Sequence, residues 1–170
     1  MFPEFATIPL TTQRELLMLD AYAAGLFDGE GVVRIDRWEK PNSNHVRYQV
    51  VAAIGMNYQP VIAELHDTYG GYFGENRHDL RGPNNRIQFC WRVASQKAVS
   101  FLRRVHPFLI VKRDQTELAL LLQDNIDKYR HKLGNQYQSH PERDAIFAER
   151  AEWAKQISEL KKVSFPSLNG

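Results

Sequence analysis

A run of apolar residues that keeps to no single helical face constrains this chain more than any other feature. Leu16, Leu17, Leu19, Tyr22, Ala23, Ala24, Leu26 and Phe27 surround the axis of a predicted helix. A helix with one wet side would carry a single apolar stripe, so this one must be buried on more than one side. Thr12-Gln13-Arg14-Glu15 reads as a capping box behind Pro9. Gly29 and Gly31 are expected to end the helix abruptly, by about Phe27 or Asp28.

The next segment has a different period. Polar and apolar residues alternate through Val32–Lys40, with Val33 and Ile35 on one side and Arg34, Asp36, Trp38 and Lys40 on the other. That spacing predicts a half-buried strand. A Pro-Asn-Ser-Asn turn leads to a second strand over Val46–Ile54, with Tyr48, Val50 and Ile54 on one side and Arg47 and Gln49 on the other. Pro60–Tyr69 predicts a short amphipathic helix, stopped by Gly70-Gly71. The pattern then recurs as strand Tyr72–Leu80, strand Arg86–Val93 and helix Gln96–Val105, ended by Pro107. Two further helices are expected, from Asp114 to about Leu133 and from Glu142 to about Lys162, joined by a polar linker. Two tandem hairpins make one four-stranded antiparallel sheet, with helices over its apolar face.

Charge supplies the first hint of a partner. Residues 31–113 carry 13 lysines and arginines against 6 acids, and the rest of the chain carries 9 against 14. A basic middle between acidic ends points to one polyanion-facing surface. The strand pattern says where that surface lies, because Arg34, Asp36, Trp38, Lys40, Arg47, Gln49, Arg86, Gln88 and Arg92 fall on the polar side of the sheet. Arginine and glutamine are the side chains that make bidentate contacts to guanine and adenine edges. With a single cysteine, Cys90, the chain can build neither an internal disulfide nor a cysteine metal cluster. The six histidines show no metal-ligand spacing, and Trp91 reads as core. No apolar stretch reaches the roughly 18 residues of a membrane span, and the first ten residues lack the pattern of a secretory signal. The expectation is an intracellular protein of a bacterial cytoplasm or organelle matrix, with no membrane and no small organic cofactor as partner.

Ala23-Ala-Gly-Leu-Phe-Asp-Gly-Glu-Gly31 resembles the signature of the LAGLIDADG homing endonucleases, matching at Ala24, Gly25, Leu26, Asp28, Gly29 and Gly31. Glu30 stands at the family's acidic catalytic position, where aspartate is commoner. The αββαββα order agrees, and His106-Pro-Phe-Leu-Ile-Val-Lys112 is similar to the family's segment in which a lysine lies near the active site. The resemblance spans about residues 12–133. It implies an α+β homing-endonuclease fold within one domain over residues 1–170, with a C-terminal helical extension from about residue 134. Only one such motif is present, and single-motif members work as homodimers. Tyr69-Gly-Gly-Tyr-Phe-Gly74 is glycine-rich but has no acid.

The resemblance implies an activity and assigns roles. The expected protein is an intron-encoded, site-specific double-strand DNA endonuclease, which hydrolyses phosphodiesters in a long, pseudo-palindromic target with Mg²⁺; Mn²⁺ or Ca²⁺ can substitute in binding. Glu30 and the Gly29 carbonyl offer hard oxygen ligands to the metal. Lys112 stabilises charge or positions water. Ala21, Ala24, Gly25 and Asp28 belong to a dimer seam, the small residues allowing close helix approach and Asp28 capping and orienting the motif. Arg34, Asp36, Trp38, Lys40, Arg47 and Gln49 match DNA-facing positions of the first hairpin, and Asn76, His78, Arg86, Gln88 and Arg92 are the candidates of the second. Where many relatives carry a water-ordering glutamine, at the end of the second strand, this chain has Met56, and Asn57 is the substitute candidate. A DNA-binding regulator that has lost cleavage, or an intron RNA maturase, would share the fold.

Overall fold

The computed structural model describes residues 10–39, 46–76, 88–133 and 140–162. Helix α1 (Leu10–Glu30) leads into strands β1 (Gly31–Glu39) and β2 (Val46–Met56), then helix α2 (Gln59–Tyr69). Strands β3 (Tyr72–Asn76) and β4 (Gln88–Ala94) and helix α3 (Gln96–Val105) repeat that unit. A 3-10 turn at His106–Phe108 precedes the two closing helices, α4 (Arg113–Leu133) and α5 (Arg143–Leu160). The strands form one antiparallel sheet in the order β1-β2-β4-β3. The expected αββαββα order, its single sheet and the two C-terminal helices are all present.

Helix α1 is longer than its punctuation suggested. It begins at Leu10, so Thr12 lies inside it and not at its cap, and it runs through Gly29 to Glu30. Gly31 is the glycine that ends it. A β-carbon there would be driven into the Phe27 ring and lies 2.5 Å from the Phe27 carbonyl oxygen, so the chain can turn off the helix only without a side chain. Gly71, just past the Gly70 that caps α2, has as little room for a side chain. It holds φ at 101°, and a β-carbon on it would stand 2.5 Å from Val93 Cγ1 and 2.6 Å from the Arg92 carbonyl oxygen.

All the helices contribute to one core on one face of the sheet. Val33 of β1, Tyr48, Val50, Ala52 and Ile54 of β2, and Trp91 and Val93 of β4 are buried there. These are alternate residues of each strand, the period-2 pattern read from sequence. Ala23, Ala24 and Phe27 of α1, Ile62 and Leu65 of α2, and Phe101, Leu102 and Val105 of α3 pack on them, with Ala119 and Leu122 of α4 and Ile157 of α5. Phe101 is the hub. Its ring meets Trp91, Tyr69 and Phe27 edge to face, with centroids 4.7, 5.0 and 5.2 Å apart, the geometry the ring quadrupoles favour. The buried Trp91 indole donates to the Gly70 carbonyl at 2.7 Å, so its one polar atom is satisfied.

A polar cluster is sealed beside this hub. Asp20 of α1 is nearly buried, accepts a hydrogen bond from the Tyr69 hydroxyl at 2.6 Å and pairs with Arg104 at 2.8 Å. The Arg104 guanidinium also lies 4.6 Å over the Tyr69 ring. Burial, and then the neighbouring Asp20 carboxylate, hold the Tyr69 phenol well above its ordinary range. These contacts fix α1 against α2 and α3 by direction as well as by area.

One residue carries backbone strain. Ser95, between β4 and α3, stands at φ 53° and ψ −130°, the one non-glycine at positive φ among the described residues. Such a conformation costs about 1–3 kcal/mol. Among the described residues no helix is long and apolar enough to cross a membrane.

If Phe101 is the hub, Phe101→Ala should lower stability by about 3–5 kcal/mol. A urea titration would show it as a drop in midpoint at unchanged slope. A loss below about 1 kcal/mol would place the weight of the core elsewhere.

Candidate nucleic-acid interface and catalytic centre

The last three turns of α1 divide their residues between two environments. Ala23, Ala24 and Phe27 are wholly buried in the chain's own core. Ala21, Tyr22, Gly25, Gly29 and Glu30 face outward. A β-carbon on Gly25 or Gly29 would meet nothing within 4 Å. Ala24 therefore cannot take part in a dimer seam as the sequence suggested, because the core already consumes its surface. The stripe left open is Ala21, Gly25 and Gly29, spaced four apart along one side of the helix.

Asp28 faces the chain's own interior. Its Oδ2 accepts from the backbone N–H of Ile110 at 2.7 Å and of Val111 at 3.2 Å, and its Oδ1 from the N–H of Lys112 at 2.9 Å. Three peptide groups at the entrance to α4 are thus gathered on one carboxylate. This is a capping arrangement made across 82–84 residues of sequence. Both Asp28 carboxylate oxygens are thus engaged inside their own chain.

The clasp sets Lys112 against the end of α1. The lysine ammonium donates to the Asp28 carbonyl oxygen, one of the four carbonyls a helix leaves without partners at its C-terminus. Burial lowers the Lys112 pKa below the ordinary lysine value, while the negative charges of Asp28 and then Glu30 pull it back up. Glu30 and Lys112, 82 residues apart in sequence, are electrostatic neighbours. Glu30 itself is exposed. The exposed carboxylate and the negative end of a helix macrodipole converge there, a setting that favours a cation. Among the described residues no three His, Cys, Asp or Glu side chains cluster as a ready-made metal cage.

Asn57 lies further off. Gly31 pairs with Ile54, and β2 continues through Met56 to an exposed bend at Asn57, about 10 Å along the strand direction. Met56 shares parity with Ile54 and packs against the core, so no polar group sits at that position.

The register assembles the polar face. Arg34, Asp36 and Trp38 of β1 stand opposite Val51, Gln49 and Arg47 of β2. Across β2, Ala53 and Gly55 face Arg92 and Cys90 of β4, and Arg92 and Gln88 face Tyr72 and Asn76 of β3. Arg34, Asp36, Trp38, Arg47, Gln49, Gln88 and Arg92 therefore fall on the face opposite the core. Lys40, His78 and Arg86 lie outside the described residues. Arg34 pairs with Asp36 at 2.8 Å, and the Gln49 amide donates to Ser95 Oγ at 2.5 Å.

Three neighbours of this face are not assigned to it by the sequence, although the Lys161-Lys162 end stands there as a source of phosphate contacts or as cover for the sheet. Tyr72 was read only as the start of a strand, yet it is exposed on this face with the Arg92 guanidinium 5.8 Å over its ring. Its parity with Asn76 was the available signal. Lys161 lies just past α5, close enough to Arg34 and Asp36 to feel both: burial and Arg34 lower its pKa and Asp36 raises it. Nothing local in the sequence marks that return to β1. The third is Ser95, whose hydroxyl holds Gln49.

No protein-family model matches this chain, and no curated protein sequence does. Solved structures do match. The homing endonuclease I-CvuI, in complex with its target, aligns with a TM-score of 0.67 at 16% identity, over 91% of this chain and 89% of that one. The archaeal intron-encoded homing endonuclease I-Vdi141I, complexed with DNA, gives 0.65 at 16% identity over 89% of each chain. The LAGLIDADG homing endonuclease I-GzeII, in complex with a DNA target, gives 0.59 at 14% identity, over 89% of this chain and 51% of that one. The chain has the LAGLIDADG homing-endonuclease fold.

Asp28→Asn replaces one of the two accepting oxygens with an amino group. The change should cost about 1–2 kcal/mol and loosen the 110–112 segment. Thermal unfolding, together with faster amide exchange at Ile110, Val111 and Lys112, would report it; unchanged exchange at all three would show that the clasp is not what holds them.

Proposed function

We propose that this chain is a metal-dependent, site-specific double-strand DNA endonuclease that acts as a homodimer. The observation that carries the reading is the Lys112 ammonium bonded to the Asp28 carbonyl at the end of α1, within electrostatic range of the exposed Glu30 carboxylate and on a chain whose sheet face is lined with Arg34, Arg47, Gln49, Gln88 and Arg92. The fold-sharing proteins I-CvuI, I-Vdi141I and I-GzeII are homing endonucleases in complex with DNA. The whole chain then works as one endonuclease domain, with α4 and α5 completing the cover of the sheet.

The donor set fits a hard divalent cation. Glu30 offers an exposed carboxylate and Gly29 a backbone carbonyl, both oxygen ligands of the kind Mg²⁺ prefers while it keeps several waters. I-CvuI has been crystallised with DNA in 2 mM Ca and in 2 mM Mg. When bound, such an ion supplies Lewis-acid charge at a scissile phosphate. Lys112 contributes a fixed positive charge beside Glu30, held in place by its backbone bond to Asp28 and by its ammonium bond to the Asp28 carbonyl. Arg and Lys on the sheet neutralise flanking phosphates, while Gln and Arg read base edges.

What one chain lacks supports the homodimer. It has a single Glu30 and an open small-residue stripe, with Tyr22, Ile110 and Val111 exposed as large apolar groups near the end of α1. One copy corresponds to about half of I-GzeII. A second copy placed on the stripe by a two-fold axis would bring two Glu30 carboxylates together and select a nearly palindromic target.

Two variants test the reading. The probe is a duplex enriched on the protein from a randomised DNA library. Glu30→Gln should abolish Mg²⁺-dependent cutting of that duplex by more than about 100-fold, beyond the 10–100-fold loss of a merely supporting group, while gel-shift binding persists. Equal cutting by mutant and wild type would sink the assignment. Binding without cutting by the wild type would instead identify a DNA-binding regulator of the same fold. Gly25→Leu fills space that is empty in one chain, so the monomer should fold normally. Light scattering at micromolar concentration should then show a wild-type dimer and a mutant monomer; a monomeric wild type would remove the two-fold site.

A further inference from the structure

The hydroxyl of Ser95 is not where its position in the chain would put it. Ser95 is the N-cap residue of α3, a place where serine ordinarily turns its oxygen onto the helix's first free N–H groups. Here it makes no such bond. Its Oγ receives the Gln49 Nε2 at 2.5 Å instead, across 46 residues of sequence. The backbone leaves the hydroxyl little freedom. The Ser95 N–H donates to the Val50 carbonyl at 2.9 Å, and the Ser95 carbonyl accepts from Val99 at 3.0 Å. The residue is thereby fastened to β2 on one side and to α3 on the other, at a positive φ that glycine would adopt without strain. A serine kept at a glycine position, with its cap left unmade, spends its hydroxyl on one partner. That partner lies in the middle of the polar face, directly opposite Asp36.

We propose that Ser95 is a positioning residue that presets the Gln49 carboxamide to read an adenine in each half of the DNA target. This rests on the DNA-binding reading above. A carboxamide has two N–H donors and one carbonyl acceptor. With one N–H given to Ser95, one N–H and the carbonyl remain, and they are the pair that meets adenine N7 and N6. A glutamine free to rotate presents either group to either edge; one tethered through its nitrogen presents a fixed order of acceptor and donor. Its neighbour Arg34 is already engaged with Asp36, which leaves Gln49 as the oriented reader of that patch.

The experiment is selection from a randomised duplex library by the full chain and by Gln49→Ala, Ser95→Gly and Ser95→Ala. Ser95→Gly removes the hydroxyl and relieves the backbone, so it should fold at least as well as wild type. Ser95→Ala removes the hydroxyl with the β-carbon kept. The wild type should prefer adenine by about tenfold or more at one symmetric pair of positions. Gln49→Ala should flatten that pair, and both Ser95 variants should flatten the same pair while leaving the others intact. Ser95 variants that keep the wild-type preference at the pair lost in Gln49→Ala overturn the proposal, and a guanine or thymine preference there overturns the adenine assignment. A wild type that enriches no sequence overturns the DNA reading itself, and this inference with it.

Discussion

One carboxylate ties the two ends of the candidate centre together. Asp28 closes α1 onto the entrance of α4 by accepting three backbone N–H groups. Hydrogen bonds to a charged acceptor are the strong class, and these three converge from consecutive residues, so the segment has one way to sit. Glu30 belongs to one end of that closure and Lys112 to the other. The attraction between the two charges adds to a proximity that the closure sets. That proximity is inherited from Asp28, whose oxygens are used up on structure, leaving the exposed carboxylate two residues later for a cation.

The closure holds because α1 is itself held. Phe27 reaches Phe101, which reaches Tyr69 and Trp91, and the Asp20–Tyr69–Arg104 cluster lies beside them. Apolar packing supplies most of the energy, while the buried polar contacts fix rotation and depth, since an unpaired Asp20 in that setting would be costly. A helix fixed this way can leave an entire stripe bare. The bare stripe of Ala21, Gly25 and Gly29 and the buried row of Ala23, Ala24 and Phe27 are two products of one constraint.

Much of this was legible in the chain. Period-2 alternation gave the strands and the faces of Arg34, Gln49 and Arg92, because a sheet with one wet side writes its pattern directly into sequence. The helix over Gln96–Val105 was read at its observed limits. What escaped depends on space. Gly29 looked like a stop and is helical, because the stop is set by contact with Phe27 at Gly31. Ala24 looked like seam and is core, since composition cannot tell which small residue of an apolar helix faces home. The neighbourhood of Lys161 with Arg34 and the bond of Ser95 to Gln49 join distant segments. No local signal could carry them.

The sheet register also bears on how such a protein changes. Alternate residues of the same strands serve folding on one side and the open surface on the other, so the two demands fall on different positions. Val50, Ala52 and Ile54 are committed to the core, whereas Arg47 and Gln49, interleaved with the buried residues of the same strand, are not. Exchanging a half-exposed side chain away from special contacts shifts stability by only about half a kcal/mol. A lineage with this architecture can alter its open surface many times over without passing through an unfolded ancestor. Its adaptability is built into the pleat.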